Sequence, residues 1–354
     1  MAQQKALFLE TPVNGEFRVR TKAIPKPSPG EILVKIHATG LNPVEWKIRA
    51  FNFFVSKYPA ILGLDAAGTV EAVGEGVSAF TKGDRVLTQG KLTDNAAAYQ
   101  QYILAPAELA AKIPSNISFD EAASIPSCLV TAATGMYLDR PTGFQKYTPA
   151  WEEDGKGAYA GQPIVIFAGS SSVGQYVNQL AKLSGFSPII TTASVNNKDL
   201  LLSLGATHVI DRHASDVPAK ITEALSNAPV KLIFDAVSDK TTQNQAWDLL
   251  APGGQLVLVL AEEVDREKYK DKILVAVQGS SHNPPGRALA VSLLGKLTKL
   301  LEDGVIKPNH VEVLPGGLEG IPEGLERIKS GSVSAKKLIV RPQETASITR
   351  GVNY

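Results

Sequence analysis

Two rhythms of apolar and polar positions run along this chain, and they change over near residue 162. Before it, short β-branched or alternating runs stand at Lys5–Glu10, Phe17–Ile24, Glu31–Thr39, Leu64–Val73, Asp84–Gln89, Tyr99–Leu104 and Ala110–Ile113, separated by prolines and glycines such as Pro25, Pro27, Gly30, Gly63 and Gly83. Such runs predict strands, and so many of them predict a barrel or rolled sheet over residues 1–125. Ser118, with Glu121 three positions on, predicts a capping box and a helical start. Ser127–Leu138 then predicts a helix. Asp139–Gly161 breaks every period and predicts a long surface loop, of the kind that carries function or mobility.

From Gln162 the pattern alternates at longer intervals. Apolar runs near 163–168, 187–193, 207–211, 231–236, 255–260 and 273–278 predict strands, and amphipathic stretches near 173–184, 197–204, 217–227 and 240–250 predict helices. Strand–helix alternation predicts a parallel, doubly wound sheet, and six strands match two mononucleotide-binding halves. A helix to about Leu301, a strand Val311–Leu314, a helix Ile321–Ser330, a strand Lys337–Val340 and a tail 343–354 follow.

Pro163–Gly185 organises this half. Ile164–Phe167 is wholly apolar, Ala168–Gly174 is a turn of small residues, and Val177, Leu180 and Ala181 recur at helical spacing. The N-terminus of such a helix favours an anion. The dinucleotide pattern G-x-G-x-x-G falls on Gly169, Ser171 and Gly174, with Ser170, Ser172 and Val173 between. Its middle glycine is replaced by Ser171, small enough for a diphosphate to approach and able to donate a hydrogen bond. The rival phosphate motif fails, because Gln175 and Tyr176 stand where a P-loop needs Lys and Ser or Thr.

Composition narrows the classes. The chain has 354 residues, 44% hydrophobic and 20% charged, enough for two domains. A net charge of +1 gives no field for nucleic acid or anionic membrane. The single cysteine, Cys128, forbids an intrachain disulfide and a multi-cysteine zinc site. The first residues lack the form of a signal peptide, and no apolar run reaches the length of a membrane span. A cytoplasmic protein is expected.

The order of motifs then points to a family. GLDAAGTVEAVGEGVSAFTKGDRV, AGSSSVGQYVNQLAK, LLSLGATHVID, APGGQLVLV and GSVSAKKLIV occur in that order over nearly the whole chain, which resembles the medium-chain dehydrogenase/reductase superfamily. The resemblance implies a GroES-like β-barrel catalytic domain split in sequence, 1–125 and 283–354, around a Rossmann domain, 126–282. Where the zinc alcohol dehydrogenases have Gly-His-Glu, this chain has Gly63-Leu64-Asp65, and no cysteine stands in Leu41–Lys47. The five histidines, at 37, 208, 213, 282 and 310, show no metal spacing, so no metal is expected. NPVEWK, GSSSVG, SVNN and the long loop are most similar to the fungal trans-acting enoyl reductases (ToxD-like), with quinone oxidoreductases as further relatives.

The cofactor expected is NADPH. About 20 residues past the glycines an NAD-binding fold places an acid, whereas Ser194, Asn197 and Lys198 stand here. They suit a 2′-phosphate; the alternative is that Ser194–Asn197 caps the following helix. Family members carry a tyrosine after the third strand where this chain has Arg212, a residue able to stack on adenine or reach the phosphate. By resemblance, Val44, Lys47, Leu260 and Ser334 contact the cofactor, Lys47 at the nicotinamide ribose or substrate. Thr131 is placed at the carboxamide, with an ordinary helix threonine as the alternative. Ser280 and Ser281, ending the sixth strand, lie where such sheets bind ligands. Lys47 and Thr131 are the catalytic candidates.

The expected reaction is hydride transfer to the C=C of an enone or enoyl thioester. The alternatives are a quinone reductase and a non-catalytic NADPH-binding protein. The expected chain is a monomer or homodimer. A polyketide-synthase carrier protein is a further partner to test, with the loop 139–161 and its Trp151 as a docking surface, a lid, or a segment tucked onto its own domain.

Overall fold

The computed structural model describes residues 2–138 and 146–347; the first seven residues of the expected loop, 139–145, and the end of the tail, 348–354, lie outside them. The chain divides into two compact units, Met1–Ser127 with Leu297–Tyr354, and Cys128–Lys296.

In the second unit six short strands form one parallel sheet in the order His208–Asp211, Ile189–Ala193, Ile164–Phe167, Leu232–Asp235, Gln255–Leu258, Ile273–Ala276. Numbered along the chain from Ile164–Phe167, this is 3-2-1-4-5-6, the order of dinucleotide-binding sheets. Ile164, Val165, Ile166, Phe167 and Leu232–Asp235 are buried throughout, so both faces are covered, as parallel sheets require. Phe167, Ile190, Ile233, Trp247 and Leu256 share one core. The helices Ser172–Ser184, Lys198–Leu204, Val217–Ala224 and Lys240–Leu249 alternate with the strands as the pattern predicts.

The first unit is built on antiparallel pairing. Glu31–Gly40 is its central strand and pairs with Asp65–Val73, Tyr102–Pro106 and Lys336–Val340. Register shifts at Leu33/Val34 and Ile36/Ala38 bend it, as bulges do, and roll the sheet around Ile32, Val34, Ile36, Val70 and Ile103. A second core gathers Leu41, Ile48, Tyr99, Ile321, Leu325 and Leu338.

Two local expectations change. The helix Pro43–Phe51 was absent from the β reading of 1–125; its signal was present, with Asn42 as cap, proline in the first turn and Glu45 reaching back. The strand expected at Tyr99–Leu104 begins only at Tyr102, because Tyr99 turns inward, its amide donating to the Leu62 carbonyl at 2.9 Å.

The described part of the long loop is tucked in. Trp151 is 9% exposed and stacks edge-on against Tyr137 at 5.3 Å. Its Nε1–H donates to Ser292 Oγ at 2.8 Å, and Ser292 donates to Glu152. Of the three readings of this segment, the one in which it packs onto its own domain matches this geometry. Among the described residues no helix is long and apolar enough to cross a membrane.

Candidate functional site

At the centre of the parallel sheet the strand order reverses between Ile164–Phe167 and Leu232–Asp235, where such sheets bind ligands. The turn Ala168–Ser171 leaves the first of these strands with Ala168 at φ 55°, a conformation alanine adopts at a cost of about 1 kcal/mol. Thr192 Oγ1 accepts from the Ala168 amide at 3.1 Å and fixes the corner. Ser171 is the N-cap of helix Ser172–Ser184, its Oγ accepting from the Gly174 amide at 3.0 Å. The serine that replaces the middle glycine therefore shapes the turn. Asn178, fully buried, donates to the Gly174 carbonyl at 2.8 Å. Gln175, at the failed P-loop position, donates to the Ser170 carbonyl at 3.0 Å. The helix has no acidic residue in its first turn, so its positive end is uncompensated.

The sheet brings Ser194 and Arg212 together at the ends of neighbouring strands: Arg212 Nε donates to Ser194 Oγ at 3.1 Å. Ser194 and Asn197 stand at the N-cap positions of Val195–Asn197 and Lys198–Leu204, without a side-chain cap hydrogen bond to either helix. Lys198 is exposed beside them. On the other side of the reversal, the buried Asp235 accepts from the amides of Val237 and Ser238 and from Thr242 Oγ1, at 3.1, 2.7 and 2.6 Å. Ser238 Oγ then accepts from the Val259 amide at 2.9 Å, one residue before Leu260, which is 37% exposed. Sequence reasoning missed Asp235; a carboxylate ending an otherwise apolar strand was its signal. Thr131 and Gly279 are in contact: a Cβ on Gly279 would lie 2.0 Å from Thr131 Oγ1. Thr131 thus meets the segment that follows the sixth strand and leads to Ser280 and Ser281.

The rolled unit holds Val44, Lys47 and Ser334. Val44 and Lys47 are half-buried on helix Pro43–Phe51. Burial lowers the Lys47 ammonium from its usual value. Its charge lies 5.6 Å over the Trp46 ring, with no hydrogen bond or ion pair among the described residues. Ser334 is exposed in the turn before strand Lys336–Val340, next to Ala335 at φ 53°.

Beneath these residues lies a buried charged cluster that the sequence did not disclose. Asp65 is fully buried; its Oδ1 accepts from the Ser127 amide at 2.7 Å, and its Oδ2 accepts from Asn42 Nδ2 at 2.8 Å and from Lys337 Nζ at 3.0 Å. Lys337 also donates to Asn42 Oδ1. Glu45, fully buried, accepts from the Asn42 amide at 2.6 Å. Desolvation pushes the Glu45 carboxyl up to about 8; Lys337 opposes the shift, Asp65 adds to it and the Asn42 hydrogen bonds oppose it. Burial, then the charges of Glu45 and Asp65, hold the Tyr99 phenol well above its ordinary value.

A group whose folded value lies above its unfolded one binds more protons in the native state, so stability falls as pH rises. Glu45 therefore contributes fully below its ordinary value of 4.5 and loses that contribution as pH rises to about 8. Urea unfolding across this range should show the decline in the parent chain and a flatter profile in Glu45→Gln; equal slopes would reject the assignment.

Among the described residues no group of three or more His, Cys, Asp or Glu could hold a metal ion. At the place of the zinc enzymes' Gly-His-Glu, Leu64 offers no ligand, and the Asp65 carboxylate is already taken by a lysine, an amide and a backbone N–H.

Comparison with known proteins agrees with this architecture. Residues 28–115 match the family described as alcohol dehydrogenase GroES-like domain, and residues 172–274 that described as zinc-binding dehydrogenase. The trans-enoyl reductase grgB of a Penicillium species is 31% identical over 350 residues, covering 92% of this chain and 95% of that protein. A zinc-type alcohol dehydrogenase-like protein of Schizosaccharomyces pombe is 33% identical, covering 90% and 94%. Among solved structures, the quinone oxidoreductase of Coxiella burnetii superposes with a TM-score of 0.75 at 24% identity, over 96% of this chain and 99% of that one. A mycobacterial protein complexed with NADPH gives 0.76 at 23%, over 96% and 100%.

Proposed function

This chain belongs to the medium-chain dehydrogenase/reductase superfamily of oxidoreductases, and from that premise we propose an NADPH-dependent, metal-independent reductase acting on the activated C=C of an α,β-unsaturated carbonyl or enoyl thioester. When bound, NADPH supplies the hydride. The residues present fit it. The serine-lined turn Gly169–Gly174, with Ser170, Ser171, Ser172 and Val173 at an uncompensated helix N-terminus, suits a diphosphate. The observation that carries the choice of cofactor is the Arg212–Ser194 hydrogen bond. It assembles a cation and a hydroxyl where a ribose-binding acid would stand, with Asn197 and Lys198 beside them. In this reading residues 126–282 form the nucleotide-binding domain, and 1–125 with 283–354 the catalytic one.

In this reading Lys47 brings its half-buried ammonium, without a hydrogen bond or ion pair among the described residues, to the nicotinamide ribose or the substrate carbonyl, with Val44, Leu260 and Ser334 as further contacts and Thr131 at the carboxamide. Hydride arriving at the β-carbon moves the C=C electrons onto the carbonyl oxygen as an enolate. Donors held at that oxygen lower the barrier, and the α-carbon then takes a proton from solvent. The names of relatives, trans-enoyl reductases among them, favour this acceptor class.

The test is oxidation of NADPH with an enone, an enoyl thioester and a quinone. Turnover with either of the first two supports the proposal. Turnover with the quinone alone makes the chain a quinone reductase, and NADPH binding without any turnover makes it a binding protein. Lys47→Ala should lower the rate about tenfold or more, the worth of one charge-assisted hydrogen bond; an undiminished rate would remove Lys47 from the reaction.

A further inference from the structure

The buried cluster joins four separated stretches of the chain at one carboxylate. Asp65 takes up Asn42 at the start of the helix that carries Val44 and Lys47. It also takes up Lys337, three residues after Ser334, and the amide of Ser127, in the first turn of helix Pro126–Tyr137. Room for the lysine is built in: a Cβ on Gly40 would lie 2.8 Å from Lys337 Cε and 2.6 Å from the Ala123 carbonyl oxygen. A buried ion pair is a poor way to gain stability, since apolar residues of similar volume often do as well. What such a pair supplies is a fixed geometry. Resting on the NADPH reading above, we propose that Asp65 and Lys337 are positioning residues that hold Lys47 and the turn of Ser334 in place for the nicotinamide end of the cofactor.

Glu45 makes this arrangement sensitive to pH. It sits two residues before Lys47 and is faced by Asn42 from its own cap, by Asp65, by Lys337 and by Tyr99. While Glu45 keeps its proton, Lys337 is shared with one carboxylate. When the proton leaves, two buried carboxylates compete for one ammonium, and the start of the helix is pulled toward Lys337.

Asp65→Asn/Lys337→Met removes both charges together, so no uncompensated ion is left inside. It should bind 2′,5′-ADP, the adenosine end of the cofactor, within about twofold of the parent, since neither changed residue belongs to the Ser194–Arg212 group. Its dissociation constant for NADPH should rise about tenfold through the displaced Lys47, and its kcat should fall about 10–100-fold, the effect of misplacement by about 1 Å. NADPH affinity and kcat within twofold of the parent would overturn the proposal. So would equal losses of 2′,5′-ADP and NADPH affinity, which mark general damage. Glu45→Gln, an isostere of the protonated acid, gives a second measurement that survives failure of the double variant to fold. The parent's NADPH affinity should weaken with a midpoint at about pH 8, and the variant should lack that limb and keep only the one due to Lys47. Identical profiles would overturn the proposal. A parent chain without affinity for 2′,5′-ADP overturns the NADPH reading itself, an outcome distinct from any of these.

Discussion

Gly174→Ala is expected to raise the NADPH dissociation constant about 100-fold, the sum of a helix-terminus contribution and one charge-assisted hydrogen bond. The added methyl would lie 2.4 Å from the Ala168 carbonyl oxygen and within 2.9 Å of the Gly169 backbone. The three nearest obstacles are all main chain, so the clash is not relieved by a side chain swinging away and the helix Ser172–Ser184 must withdraw from the strand. Its first-turn amides then lose their aim at the diphosphate, and the Ser171 cap on the Gly174 amide is broken. Overpacking of this kind also costs about 1–3 kcal/mol of stability, which a thermal melt would show beside the titration. A variant that binds NADPH within threefold of the parent would show that the diphosphate is held elsewhere.

Arg212→Ala should shift selectivity and leave stability nearly untouched. Arg212 is exposed and its described partner is Ser194; surface changes of this sort usually stay within about 0.5 kcal/mol. A charge-assisted hydrogen bond to the 2′-phosphate is worth about 1.5–3 kcal/mol, so NADPH should bind about 10–100-fold more weakly. NADH, lacking that phosphate, should bind as before. Paired titrations decide the matter. Equal weakening of both nucleotides would put Arg212 on the adenine face instead, and no change in either would take it out of the site.

How far the fold was legible depended on where each half keeps its information. The parallel sheet is written locally: Ile164–Phe167 and Leu232–Asp235 are short, fully buried runs, and Ser171 and Asp239 cap the helices that follow. Strands and helices there fall within a few residues of the pattern. The rolled unit is written in long-range pairing. Helix Pro43–Phe51, short and flanked by strands, was visible only through its capping residues, and Tyr99 left its expected strand because an interior position took it.

The candidate site divides the same way. The small-residue turn and the polar group at 194–198 were readable because each is a single stretch. The Asp65–Lys337 pair was not: Lys337 meets Asn42 across 295 positions of sequence, and a lysine in a β-rich tail reads as solvated until the fold buries it. Trp151 stood among three readings, since an aromatic beside three acids suits a docking surface, a lid or an anchor; the Ser292 bond and the Tyr137 contact match the anchor.

That anchoring changes what the segment 146–161 is for. Tyr147 is buried and meets Tyr159 and Phe186, and the amides of Gly157 and Tyr159 donate to the carbonyls of Leu183 and Ser184, at 3.0 and 2.9 Å. A stretch whose glycines and prolines advertise a tolerant place for foreign sequence is in fact a plug in the wall of its domain. An affinity tag or a grafted epitope inserted beside the buried Tyr147, Ala150 or Trp151 would open the interior.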